Sequence, residues 1–261
     1  MLTIDSLRLQ IGTAEILRGI SLEVGKGEAL GLVGESGSGK SMTMRCIVRS
    51  LPAAARVTGS IRLAGEDVLA LRGEELRRMR AHRTAMIAQN PHAALNPVLP
   101  VQRFLLEGMR EARGGPLDES IRKARALLDQ VGIADVDRCL KSYPHQLSGG
   151  MLQRVAIAGA VSGNPQLMLA DEPTTALDVT TQAEVMALLD GMRRELHMSM
   201  IFVTHDLDLA AAVCDRIAVM KDGEIVETAT PADLYDRPQA AYTRQLMSAR
   251  PSIDARKERQ Q

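Results

Sequence analysis

The chain has 261 residues, 45% of them hydrophobic and 25% charged, enough for one large domain, or a domain with a small appendage, around a proper core. Lysine plus arginine total 32 and aspartate plus glutamate total 32, so the formal charge is zero and a polybasic binder of nucleic acid or anionic lipid is excluded. The aromatic residues are only Phe104, Phe202, Tyr143, Tyr235 and Tyr242, too few for base-stacking platforms, and Cys46, Cys139 and Cys214 form no C-x-x-C pair, which argues against a disulfide framework or a zinc site and for a reducing cytosol.

In chain order, apolar Leu2, Ile4, Leu7, Leu9 and Ile11 predict an opening strand rather than a signal peptide. A second strand is expected over Ile20–Val24, and the run Ala29 to Val33 fits a strand buried on both faces. A glycine-rich loop and a helix over Met42–Arg49 follow, then a short strand at Ser60–Leu63, an arginine-rich helix over Glu74–Arg83 and a strand at Ala85–Ala88. From about residue 91 to 150 strand signals stop; Ile121, Ala124, Leu127, Leu128 and Val131 share one helical face, so this stretch reads as a helical insert. Strands at Leu167–Ala170, Met200–Val203 and Arg216–Met220 then alternate with helices over Thr180–His197 and Leu207–Val213, the pattern of a parallel α/β core. Lys221-Asp222-Gly223 reads as a turn before Glu224–Val226, and residues 251–261 as a frayed tail after a domain spanning 1–250. No window has the eighteen or so apolar residues of a spanning helix, so any membrane crossing is expected to belong to other chains.

Gly34, Glu35, Ser36, Gly37, Ser38, Gly39, Lys40 and Ser41 satisfy G-x-x-x-x-G-K-S between a buried strand and a helix start. Backbone N–H groups of such a loop converge on the β- and γ-phosphates, Lys40 bridges phosphate oxygens, and the Ser41 hydroxyl is placed to ligate Mg²⁺. The apolar run Leu167 to Ala170 ends in Asp171 and Glu172, which lets Asp171 face a metal ion while Glu172 faces an attacking water. Alone, such an Asp-Glu pair is more often a solvated turn or a helix cap; beside the phosphate loop that reading recedes.

Between these elements lies Leu147-Ser148-Gly149-Gly150-Met151-Leu152-Gln153-Arg154. With this string, the chain resembles the nucleotide-binding subunits of ATP-binding cassette (ABC) transporters over nearly its whole length. By itself the string is also a capped helix start, with Ser148 as N-cap. The resemblance implies a P-loop ATPase of α/β class with an N-terminal antiparallel β subdomain and an α-helical insert, working with ATP and Mg²⁺. It implies that Ser148, Gly149 and Gly150 close over the nucleotide of a partner chain in a head-to-tail dimer. It further assigns Gln89 to the loop that senses Mg²⁺ and water, Asp178 in Thr175-Ala176-Leu177-Asp178 to the dimer contact, and His205 to the γ-phosphate. The aromatic residue that usually stacks on adenine falls at Ile11, leaving only apolar contact with the base.

The segments Gln89-Asn90-Pro91 to Leu95-Asn96-Pro97 and Tyr143-Pro144-His145-Gln146 are similar to those of dipeptide, oligopeptide and nickel importers, most closely the first ATPase of nickel importers. That implies a second, related ATPase chain as partner, two membrane permease subunits, an extracytoplasmic solute-binding protein and the cytoplasmic face of the plasma membrane; no nucleic acid is expected. The competing reading is a soluble ATPase accessory to phosphonate carbon–phosphorus bond cleavage. Arg72, Arg77, Arg78, Arg80 and Arg83 are expected on a solvated helix face, and Met151, Met168, Met186 and Met192 in packing.

Overall fold

Apolar alternation in the first strand changes parity after Ile4, and the fold resolves this with a bulge. In the computed structural model of the protein, which describes residues 1–113, 116–174 and 178–248, β1 (Leu2–Ile11) slips register between Ile4 and Leu7 against one neighbouring strand and between Asp5 and Arg8 against the other. The slip returns Leu7 and Leu9 to the face that buries Leu2 and Ile4, because one extra residue inverts every later side chain. The strand predicted over Ile20–Val24 is longer, β2 (Ala14–Val24), since the hairpin turns at Gly12-Thr13 and pairs at once. After β3 (Ala29–Val33) and α1 (Lys40–Ile47) comes β4 (Ala55–Leu63), also longer than predicted because it pairs with β1 along its length. With β5 (Glu66–Asp67) these strands form an antiparallel sheet in the order β2-β1-β4-β5.

The arginine-rich helix α2 (Gly73–His82) precedes β6 (Thr84–Ile87). Arg77 and Arg78 lie on a solvated face and pair with Glu74, whereas Arg80 donates to the carbonyls of Val48 and Arg49, both at 2.7 Å, closing the C-terminal end of α1. The helical insert follows as α3 (Val101–Arg113), α4 (Leu117–Gln130) and α5 (Val136–Lys141), leading into α6 (Gly149–Val161). Ala124, Leu128 and Val131 are buried as expected, with Ile121 and Leu127 half-buried beside them. The remaining elements are β7 (Leu167–Asp171), α7 (Val179–Glu195), β8 (Ser199–Thr204), α8 (Leu207–Val213), β9 (Arg216–Lys221), β10 (Glu224–Ala229), α9 (Pro231–Asp236) and α10 (Ala241–Ser248). The tail predicted at 251–261 lies outside the described residues.

The second sheet has the order β10-β9-β3-β8-β7-β6, parallel except for the β9–β10 hairpin. Its central strands are covered on both faces, which is why they read as unbroken apolar runs. Ala29, Val33, Met168, Ala170, Met200 and Phe202 face a core shared with the insert and α6. Leu30, Leu32, Leu167, Leu169, Ile201 and Val203 face a second core shared with α1 and the antiparallel sheet. Neighbouring parallel strands β3, β8, β7 and β6 therefore end along one edge, and the loops leaving that edge carry the site.

Candidate nucleotide site

The phosphate loop leaves β3 and enters α1 with Gly34 and Gly39 where side chains do not fit. A Cβ on Gly34 would stand 2.1 Å from the carbonyl oxygen of Met220. Gly39, at φ 107°, would meet Met220 Cε at 2.7 Å and Leu17 Cδ2 at 2.8 Å. The β9–β10 turn braces the loop further, the Gly223 N–H donating to the Ser38 carbonyl at 3.0 Å. Lys40 is buried, and its Nζ donates to the carbonyls of Gly34 and Glu35, each at 2.8 Å. Burial pushes the Lys40 ionisation below the ordinary lysine range, against the opposing charges of Glu172, Asp171 and Glu35.

The Ser41 hydroxyl donates to Asp171 Oδ1 at 2.8 Å, so α1 and β7 meet at two of the predicted metal-ligand side chains. Burial raises the Asp171 pKa above the usual carboxylate value; the Glu172 charge raises it further, while the Ser41 hydrogen bond, Arg45 and Lys40 oppose the shift. A buried carboxylate beside a hydroxyl and a second carboxylate is an oxygen donor set that fits a hard divalent cation.

Glu172 takes a left-handed backbone, φ 46°, with its N–H donating to the Val203 carbonyl at 3.0 Å. This turn separates the two adjacent acids: Asp171 reaches Ser41, whereas Glu172 reaches into the cleft. There Gln89 Nε2 donates to Glu172 Oε2 at 3.1 Å, and His205 Nδ1 lies 3.3 Å from Glu172 Oε1. Gln89 and His205 thus hold one carboxylate from opposite oxygens. Glu35, Ser36, Gly37, Gly39, Lys40 and Ser41 line a cleft of about 780 Å³ together with Gln89, Glu172 and His205.

Ser148, Gly149 and Gly150 are not on this cleft. Ser148 caps α6, its Oγ accepting from the Met151 N–H at 3.3 Å, and the Gly149 Cα faces open space. Asp178 caps α7, while Thr175, Ala176 and Leu177 lie outside the described residues. Ile11, which the resemblance places at the base, pairs with Ala14 and Ala55 at the end of β1 and is not among the residues lining this cleft, whereas Ile16, on the returning strand, lines it with Met42. Sequence reasoning also missed Tyr242, whose Oη accepts from the Glu35 N–H at 3.2 Å. No local signal marks it, because the two residues are 207 positions apart.

A glycine loop between a buried strand and a helix, with an acid-tipped strand in the same sheet beyond one intervening strand, defines a P-loop nucleotide hydrolase. Residues 17–175 match the family model described as ABC transporter. A putative peptide import ATP-binding protein of Brucella abortus is 47% identical over 228 residues, 87% of this chain and 69% of that protein. The glutathione import ATP-binding protein GsiA of Shigella dysenteriae is 42% identical over 248 residues, 92% of this chain but 40% of that protein. Among solved structures, the dimeric ATP-binding cassette MJ0796, in a post-hydrolysis state with ADP and Pi, superposes with a TM-score of 0.78 at 29% identity, covering 88% of this chain and 99% of that one. The chain belongs to the ABC transporter family and is one of its ATP-binding, ATP-hydrolysing cassettes. Among the described residues no helix is long and apolar enough to cross a membrane.

Proposed function

We propose that this cassette energises an importer of short peptides, paired head to tail with a second ATPase chain beneath two membrane permease subunits. An extracytoplasmic solute-binding protein delivers the cargo, and the cassette itself works at the cytoplasmic face. Peptide cargo rests on relatives named for peptide and glutathione import. Neither of these relatives is named for nickel or for carbon–phosphorus cleavage.

The observation that carries the catalytic reading is the Glu172 carboxylate held by Gln89 at 3.1 Å and His205 at 3.3 Å, next to the Ser41–Asp171 pair. Lys40 and the loop N–H groups bind the β- and γ-phosphates. Ser41, Asp171 and Gln89 are the residues that would hold Mg²⁺, which when bound neutralises phosphate charge. Glu172 orients the attacking water and accepts its proton, with Gln89 and His205 fixing the carboxylate's direction. Ser148, Gly149 and Gly150 present a hydroxyl and helix N-terminal N–H groups to the nucleotide of the facing chain, and Asp178 lies at that contact. Gln89 opens the segment into the insert, so closure around nucleotide is transmitted toward the permeases.

Glu172→Gln removes the proton acceptor and keeps the shape. Phosphate release should fall by about 10²–10⁴-fold while a fluorescent ATP analogue still binds. Undiminished release would remove Glu172 from the role. Cargo is settled by uptake of labelled peptides and of nickel into vesicles holding the whole complex, where transport of nickel alone would overturn the peptide reading.

A further inference from the structure

Tyr242 is remote in sequence from every nucleotide motif, yet it is buried and in contact with the phosphate loop. Its Oη accepts from the Glu35 N–H at 3.2 Å, while Lys40 Nζ donates to the Gly34 carbonyl at 2.8 Å. These two groups belong to one peptide unit. In a planar trans peptide the C=O and N–H leave opposite edges, so turning one turns the other. Tyr242 and Lys40 therefore grip the same plate from its two sides. The plate follows a glycine, the residue whose backbone turns most freely, and the Met220 carbonyl forbids a Cβ that would stiffen it. Restraint has to come from contacts to the peptide, and Tyr242 supplies the one from outside the loop.

The helix that brings Tyr242 there is itself tied down. The Glu227 carboxylate accepts from the N–H groups of Gln239 and Ala240, at 2.8 and 2.9 Å, and so aims the start of α10. Lys221 Nζ stands 4.8 Å from the centre of the Tyr242 ring, a cation–π contact from the strand that braces the loop.

We infer that Tyr242 is a positioning residue for nucleotide binding, its hydroxyl fixing the Gly34–Glu35 peptide and through that peptide the Lys40 ammonium. The inference rests on Lys40 being the phosphate-binding lysine. A lysine held in place before nucleotide arrives has already lost its rotamer freedom, so binding costs less. Removing the hydroxyl releases the plate and returns that cost to the binding step. Once phosphates hold Lys40 the clamp contributes little more, so the effect belongs to KM and not to kcat.

The test uses the full chain and a fluorescent ATP analogue, comparing Tyr242→Phe, Arg244→Ala and Lys40→Ala. Tyr242→Phe deletes one oxygen and keeps the ring over Lys221. Arg244→Ala loosens α10 at its contacts with the Pro238 and Gln239 carbonyls without touching the loop. Tyr242→Phe should weaken binding about three- to tenfold, the size of one hydrogen bond, with kcat changed less than about twofold in the assembled transporter. Amide exchange over residues 34–41 should quicken in Tyr242→Phe and not in Arg244→Ala. Binding within about twofold of the wild type, tighter binding, or an equal loss in Arg244→Ala would each overturn the inference. Lys40→Ala separates the two levels: if it leaves nucleotide binding intact, the assignment of the loop fails; if it abolishes binding and Tyr242→Phe does nothing, only the Tyr242 inference fails.

Discussion

At Gly34 the carbonyl oxygen of Met220 occupies the place where a side chain would begin, 2.1 Å from an added Cβ. The obstacle is backbone in a buried central strand, so it cannot swing aside as a side-chain tip would. Gly34→Ala should destabilise the fold by about 2–3 kcal/mol, read as a lower urea midpoint at unchanged slope, and should displace Lys40 with it. An unshifted midpoint would show that the loop moves freely against β9. The same scale explains how the site awaits its ligand. Lys40 is a buried cation that donates to the Gly34 and Glu35 carbonyls and, at 3.5 Å, to the Ser38 hydroxyl, and Asp171 a buried anion that accepts from the Ser41 hydroxyl and is opposed by Glu172. Their ionisations are pushed in opposite directions, each toward the neutral form, by burial. An anion at Lys40 and a cation at Asp171 relieve both penalties together, which is the electrostatic complement of a metal–nucleotide pair.

Among the elements, α6 and α7 are capped by Ser148 and Asp178, two residues of the proposed dimer contact. Ser148 satisfies the first turn of α6, and Asp178 accepts from both the N–H and the hydroxyl of Thr181, at 3.0 and 2.7 Å. The backbone hydrogen bond to Thr181, then the side-chain one, holds the Asp178 carboxyl below its ordinary value. A depressed folded-state pKa contributes stability that is present above the unfolded value and fades as pH falls through the folded one. The melting-temperature gap between the wild type and Asp178→Ala should therefore be constant from about pH 5 to 7 and shrink below about pH 4. A gap independent of pH would mean that the charge does not matter to the cap. The Ser148 cap was visible in the sequence because capping is local, the serine standing three residues before the N–H it receives, whereas Asp178 was read there only as a dimer contact. What α2 does was less visible. Its arginines include an ordinary solvated pair with Glu74, but Arg80 closes another helix, a task that no spacing along α2 announces.

For the whole molecule, two cores on opposite faces of one sheet bury all three cysteines. Burial pushes the Cys46 and Cys214 thiols up to about 12 and raises Cys139 as well. At about pH 8 the native chain should therefore leave a thiol reagent almost unreacted, and denaturant should release three thiols per chain. Rapid titration without denaturant would contradict this packing. The sequence by itself determined the order of the main strands and helices and the helical insert, and it singled out Lys40, Ser41, Gln89, Glu172 and His205, which the fold brings to one cleft. Phosphate binding needs consecutive N–H groups at a strand-to-helix turn, and buried parallel strands need unbroken apolar runs, so both leave local patterns. Only the tertiary structure decided that Ile16 and not Ile11 lines the cleft, that a bulge restores Leu7 and Leu9 to the core, and that Tyr242 reaches Glu35. Each of these depends on register or on contact between distant segments, and long-range packing leaves no periodic trace in the residues that make it.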